Sequence, residues 1–230
     1  RGVSVYINRP FDARAVYRRA FNTIRLYAKQ RRLVRMVSAQ TRKQEHNTTM
    51  LVNVLSQIVE FRNGESGSHV RHIRILTEKI MAQLLRKTDK YSLSSEEQDN
   101  ITLASALHDI GKIAIDEKIL NKPGRLTPEE FAVLKTHTTE GAALLHRLEN
   151  FDTEPLLQTA CDIARWHHER WDGRGYPDGL AGDDIPIGAQ LVSLADVYDA
   201  LTSERCYKKA FPHEKAVQKI LVGKCRTFNP

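Results

Sequence analysis

Ala106-Leu107-His108-Asp109-Ile110-Gly111-Lys112 places two adjacent metal-capable side chains inside an otherwise apolar helical run. Ile101, Leu103, Ala104, Leu107 and Ile110 mark a face that must be buried, so His108 and Asp109 are carried toward an interior rather than into bulk water. An ionised carboxylate loses several kcal/mol of solvation there unless something positive faces it, and a metal ion is the simplest candidate. On its own the pair is better read as a helix cap or a satisfied core histidine, because two-residue motifs recur by chance. The other histidines decide.

Around this stretch the helical pattern continues. Ser94 and Glu97 form a capping box that opens the helix expected to carry His108. Thr127-Pro128-Glu129-Glu130 starts another, predicted to carry His137. A helix from about Thr153 should carry Trp166, His167 and His168, and one from Pro186 to about Ser203 should carry Asp196 and Asp199. Pro212 opens a last short helix. Residues 50–230 show no alternating strand pattern, so the fold class is all-α.

Upstream, Val16 through Phe61 is nearly free of Gly and Pro. Tyr17, Phe21, Ile24 and Ala28, then Leu51, Leu55 and Ile58, recur at three- and four-residue steps, which suits a long signalling helix that pairs with its copy in a homodimer. The polar interval Ser38 to Thr49 is expected to break or loosen it. Before it, Val3 to Ile7 reads as a short strand, and Asp12 as the cap of the helix that follows.

The net charge of +7 suggests nucleic acid only until it is divided along the chain. Residues 1–49 hold twelve Lys or Arg against two Asp or Glu, a net of +10, and the remainder carries −3. The basic segment lacks aromatic interleaving or a reading motif, so it is read as a solvated helix or one that docks on an acidic partner, and nucleic acid is not expected. No apolar run approaches the roughly 20 residues of a membrane span, no signal-peptide pattern opens the chain, and the three scattered cysteines fit a reducing compartment; a cytoplasmic location is expected.

The metal-capable residues form one set: Glu65, His69, His108, Asp109, His137, His167, His168 and Asp196. Glu65 and His69 are four apart and share a face if the helix already includes Glu65, whereas Gly67 would otherwise mark its start. Eight imidazole and carboxylate donors exceed one four-coordinate zinc and suit two or three divalent ions, with iron, manganese, zinc and nickel all chemically admissible. His46, His146 and His213 read as surface residues, and His72 as exposed or as a support behind a ligand.

His108-Asp109-Ile110-Gly111-Lys112 together with His167-His168-Glu169-Arg170-Trp171-Asp172-Gly173-Arg174-Gly175-Tyr176-Pro177 resembles the HD-GYP domain, a branch of the HD metal-dependent phosphohydrolase superfamily. The resemblance covers about Glu65 to the end of the chain. It implies hydrolysis of the bacterial messenger cyclic di-GMP to linear pGpG, and in some members on to GMP, with iron or manganese as the ions and the eight residues above as ligands. It also implies that Glu65 completes a third ion site, that Asp109 and Lys112 are catalytic, and that Tyr176, Asp199, Arg205 and Lys208 contact substrate. Asp109 is expected to bridge the ions and Lys112 to stabilise charge on the phosphate or leaving oxygen. Arg205-Cys206-Tyr207-Lys208 departs from the family's usual Arg-Pro-Tyr-Lys.

The first 27 residues resemble the end of a response-regulator receiver domain, with Arg9 where that family has lysine. The expected division is therefore a receiver remnant over 1–27, a signalling helix over 28–62 and the catalytic domain over 63–230. A partner protein at the Gly-Tyr-Pro loop is a further expectation. Two alternatives stand beside the main reading: a phosphodiesterase for another cyclic dinucleotide, and a catalytically silent sensor that binds nucleotide or recruits a partner.

Overall fold

The computed structural model describes residues 10, 12–63, 67–204, 209–223 and 227–229. Among these the β-type pairing is confined to an isolated bridge between Asp172 and Ala181, so the fold is all-α, as the apolar periodicity predicted. The chain divides into two compact units, Arg1–Thr49 and Met50–Pro230.

Nearly all the described part of the first unit is helical and belongs to α1 (Ala13–Arg62). Asp12 Oδ1 accepts from Arg14 N at 2.9 Å, which caps the helix where the sequence placed its start. The expected strand at Val3 to Ile7 lies outside the described residues. The interval Ser38 to Thr49 does not break the helix; Thr41 Oγ1 donates to Val37 O at 3.1 Å, so its hydroxyl is absorbed by the preceding turn. Tyr17, Phe21 and Ile24 stay exposed, with the Tyr17 and Phe21 rings stacked at 6.3 Å.

The second unit opens with the last turns of α1. Val52, Ser56, Val59 and Glu60 are buried there, while Leu51, Leu55 and Ile58 remain exposed. It continues with α2 (His69–Lys87), α3 (Ser95–Ala104), α4 (Glu117–Leu120), α5 (Pro128–Lys135), α6 (His137–His146), α7 (Pro155–Trp166), α8 (Ile187–Thr202) and α9 (His213–Leu221). Both expected capping boxes form: Ser94 Oγ accepts from Glu97 N and Thr127 Oγ1 from Glu130 N, each at 3.2 Å, and both glutamates accept in return at 2.7 Å. Each box contributes about 1 kcal/mol at its helix start.

The main core joins α1, α2, α3, α7 and α8 around Ile73, Ile163 and Val192, which are fully buried. Burying each of these side chains stabilises the fold by roughly 1.5–3 kcal/mol. Three ligand placements differ from expectation. His108 lies beyond α3, after a 3₁₀ turn at Ser105–Leu107; His137 begins α6 instead of ending α5; and His167 caps α7, with His168 outside it. Gly67, at φ +67°, precedes α2, so the helix starts at His69 and does not reach Glu65.

Candidate metal centre

The three displaced histidines share one device. Each imidazole turns its Nδ1 back onto a carbonyl of the preceding turn. His108 Nδ1 donates to Ser105 O at 2.9 Å, His137 Nδ1 to Leu134 O at 2.7 Å, and His167 Nδ1 to Ile163 O at 2.9 Å. Each bond uses Nδ1 as the donor, so in the neutral imidazole Nε2 is the nitrogen left with a lone pair. These carbonyls are at or just beyond the ends of α3, α5 and α7, where the negative ends of the helix dipoles favour a cation.

His69 reaches the same place by another route. Its Nδ1 contacts Asp199 Oδ2 at 2.7 Å, and its Nε2 lies 3.9 Å from Asp196 Oδ1. The result is two groups whose donor atoms lie within 4.8 Å of one another: Asp109, His137, His167 and His168 in one, His69, His108 and Asp196 in the other. Asp109 stands between them. Its Oδ1 is 3.4 Å from His137 Nε2 and 3.8 Å from His167 Nε2, and its Oδ2 is 3.2 Å from His108 Nε2 and 2.6 Å from Lys112 Nζ.

Charge in this cluster is strongly perturbed. Burial disfavours a charged His108, but Asp109 and then Asp196 outweigh it and push the His108 pKa up to about 9. Burial also opposes an ionised Asp109, yet Lys112, His108 and His137 hold its carboxyl well below the usual range. Burial pushes His137 down, against the pull of Asp109. Nε2 of His108 is buried without a hydrogen-bond partner, since its approach to Asp109 is poorly aligned. A divalent cation would use that lone pair and match the Asp109 charge, so the donor set fits one; imidazole and carboxylate ligands suit iron, manganese, zinc or nickel.

Two glycines let these elements meet. A Cβ on Gly111 would lie 1.9 Å from His137 O and 2.4 Å from Gly141 N, so the His108–Lys112 segment presses directly on the backbone of α6. A Cβ on Gly175 would lie 2.4 Å from Glu169 Cα, which brings the Tyr176 loop against the His167–Glu169 segment. Tyr176 is thereby stacked near His168, ring centroids 4.7 Å apart.

A crevice of about 590 Å³ opens over the centre, with His69, Asp109, Lys112, His137, His168, Tyr176 and Asp196 in its wall. Asp199 is not in that wall. It is 3% exposed and hydrogen-bonded to His69, His72 and Ser203, so it stands behind His69, with His72 at 2.9 Å. Glu65, Arg205 and Lys208 lie outside the described residues. The crevice adds Phe131 and Lys135 on α5, one turn apart, which no sequence motif marked, and Arg174, which lies in the quoted motif but had no role assigned to it. Lys135 Nζ sits 5.6 Å from the Tyr176 ring centroid and 5.3 Å from that of Phe131. Trp166 is not simply core: its Nε1 donates to Asp178 Oδ2 at 2.8 Å, beside the Arg165–Asp178 ion pair. Trp171 N donates to Thr227 O at 3.0 Å and ties its loop to the end of the chain's described residues. A more apolar cavity of about 260 Å³ beside Trp171, Tyr91 and Phe228 includes none of the ligand residues.

The His–Asp pair set among helix ends has a counterpart in known sequences, for a family model described as HD domain matches residues 53–227. The chain belongs to the HD domain family. The chain is 44% identical over 184 residues to a Vibrio cholerae protein named probable cyclic di-GMP phosphodiesterase, covering 78% of this chain and 42% of that one. It is 41% identical over 180 residues to 3'3'-cGAMP-specific phosphodiesterase 2 of the same species, covering 78% of this chain and 32% of the relative. A match of 35% identity covers all of this chain and 60% of the cyclic di-GMP phosphodiesterase response regulator RpfG of Xanthomonas campestris. The chain thus spans about a third to three-fifths of the length of these curated relatives. Among the described residues of the HD domain and of α1, no helix is long and apolar enough to cross a membrane.

Proposed function

We propose that this chain is the catalytic part of an HD-GYP phosphodiesterase that opens cyclic di-GMP to linear pGpG, the product being pGpG or, after a second cleavage, GMP. The observation that carries the reading is Asp109 between two donor groups, with Lys112 Nζ 2.6 Å from its carboxylate at the floor of an open crevice. The names of the relatives from V. cholerae and X. campestris support the substrate class.

Two divalent ions, iron or manganese before zinc or nickel, would be held by Asp109, His137, His167 and His168 and by His69, His108 and Asp196, with Glu65 offered for a third. Bound there, such ions activate water and neutralise phosphoryl oxygens. The chain's own groups do the rest. Asp109 orients toward both donor groups, and Lys112 places a cation where charge accumulates on a phosphoryl or leaving oxygen. Tyr176 offers an aromatic face beside His168, and Arg205 and Lys208 supply further cations for phosphate or guanine edges. A crevice of about 590 Å³ lies within the size range of small-molecule sites.

A second substrate reading has a specific basis: a cGAMP-specific relative is nearly as similar as the cyclic di-GMP one. A silent sensor is disfavoured by the intact ligand set among the described residues. Residues 1–27 are proposed as a receiver remnant, in keeping with the match to a response regulator along the whole chain. Residues 28–62 are proposed as the signalling helix and 63–230 as the catalytic domain. The exposed stripe on α1 is proposed to pair with a second copy, which light scattering would register as a dimer and a monomer at all concentrations would exclude. The Gly-Tyr-Pro loop remains the proposed site for a protein partner.

The test is metal analysis of protein purified without oxygen, with turnover of cyclic di-GMP and 3'3'-cGAMP measured under added iron or manganese. Full loading without turnover of either leaves only the sensor. Asp109→Ala should lose both ions and hydrolysis, and its retention of both would refute the assignment.

A further inference from the structure

Glu60 is a carboxylate that the ligand set does not use. It lies in the last turn of α1 and is 3% exposed. Its Oε1 accepts from Val70 N at 2.6 Å, and Val70 directly follows His69. At the start of α2, Ser68 has helical dihedrals and makes no side-chain cap hydrogen bond, and the first turn holds no acidic residue. Glu60 supplies from another helix what a local cap otherwise would. It satisfies an orphan N–H and sets a negative charge at the positive end of the helix dipole.

The other oxygen, Oε2, is buried without a hydrogen-bond partner, as is Oδ1 of Asn63. Both residues line a small cavity of about 10 Å³ whose wall also includes His69, His108 and Asp109. That is room for about one water, so the Glu60 carboxylate belongs to the polar surroundings of the centre and not to the apolar core. The same turn of α1 grips the segment beyond Lys112. Arg62 donates through Nη1 to Ile113 O and through Nη2 to Ile115 O, the latter at 3.0 Å, and Arg62 O accepts from Asn121 Nδ2 at 3.0 Å.

We propose that Glu60 is the positioning residue for His69. Asp199 fixes the imidazole, and Glu60 fixes the backbone that carries it, so the end of α1 sets the affinity for the ion held by His69, His108 and Asp196. The Glu60 hydrogen bond goes to the backbone beside His69 and not to the segments that carry His137, His167 and His168, so the ion on Asp109, His137, His167 and His168 should be affected less. This inference rests on the two-ion reading above.

The test uses the full chain, with Mn²⁺ alone as probe, titrated by calorimetry and followed by electron paramagnetic resonance. Wild type should take up two ions and give the spectrum of an exchange-coupled pair. Glu60→Ala should bind the second ion ~10–100-fold more weakly, and so show an isolated ion at concentrations that fill both sites in wild type. Glu60→Gln, which keeps an oxygen for Val70 N–H, should restore the coupled spectrum to within a few-fold in concentration. Where the alanine variant does not fold by circular dichroism, Glu60→Asp, one methylene too short, replaces it. A folded Ala or Asp variant with wild-type affinity for both ions overturns the inference, and so does equal weakening of both. Wild type that never binds a pair of ions overturns the two-ion reading itself, and this inference with it.

Discussion

Replacing Gly111 by alanine should separate Asp109 from His137. The new Cβ would meet His137 O at 1.9 Å, Gly141 N at 2.4 Å and Gly141 Cα at 2.8 Å, all backbone atoms of α6 that no rotamer change can move aside. Bringing the carbonyl contact from 1.9 Å to the shortest real spacing, about 3.0 Å, opens the junction by about 1.1 Å. Asp109 Oδ1 and His137 Nε2 now stand 3.4 Å apart, and the same displacement along their line takes them to about 4.5 Å. Two donors on one ion at about 2.1 Å each cannot be more than about 4.2 Å apart, so the shared ion would lose a ligand. Overpacking of this kind costs about 1–3 kcal/mol, or a fall in Tm of roughly 2–12 °C for a chain of this size. An error near 1 Å at a reacting centre lowers turnover about 100-fold. Calorimetric Tm of metal-free protein, ion stoichiometry and turnover measure all three. Gly141→Ala is the graded control, since its Cβ meets Gly111 N at 3.1 Å and Ala164 Cβ at 3.4 Å and needs only a few tenths of an ångström. Unchanged Tm and ion content in Gly111→Ala, or a larger effect at Gly141, would refute the reasoning.

Other substitutions separate the roles of neighbouring groups. Lys112→Ala should lower kcat by ~10²–10³-fold while ion content holds, and loss of ions instead would mean that Lys112 serves mainly to hold Asp109. Asp199→Ala should weaken Mn²⁺ binding by ~10–100-fold, and His72→Ala, whose side chain is 43% exposed, by much less; equal effects would remove Asp199 from the support of His69. Asp178→Asn breaks the pair with Arg165, worth about 0.5–1 kcal/mol at this exposure. Hydrogen bonds from Arg165, and more weakly from Trp166, hold the Asp178 carboxyl below its ordinary value against the effect of burial. The contribution is therefore complete above the unfolded pKa of about 3.9 and is lost as pH falls through the lower folded value. The stability gap between Asp178→Asn and wild type, read by denaturant titration, should stay constant from about pH 5 to 8 and close only below about pH 4. A gap that changes between pH 6 and 8 would contradict this.

The helix starts were legible because their signals are local: Ser94 with Glu97, and Thr127 with Glu130, need only three residues of spacing. The donor residues that the fold brings together were legible because imidazole and carboxylate interrupt apolar faces. The helix ends were not, since they depend on His108, His137 and His167 turning back onto carbonyls of the turn before, a choice the apolar period does not register. Asp199 was expected at the substrate from the family resemblance alone, and its pairing with His69, 130 residues away in sequence, left no local signal. Glu60 was hidden for the same reason: its spacing suits a solvated helix, and only the arrival of Val70 N gives its carboxylate a purpose.

Donors at helix ends have a consequence for how the molecule folds. The first group draws on positions 69, 108 and 196 and the second on 109, 137, 167 and 168, so no single segment presents a finished site to solution. Affinity for an ion exists only once the helices have packed, and an ion that binds the packed form ties together distant parts of the chain as a cross-link would. With free ion at a hundred times its dissociation constant, that linkage adds about 2.7 kcal/mol to stability. The cell's supply of metal would then set how long the folded molecule lasts as well as how fast it works.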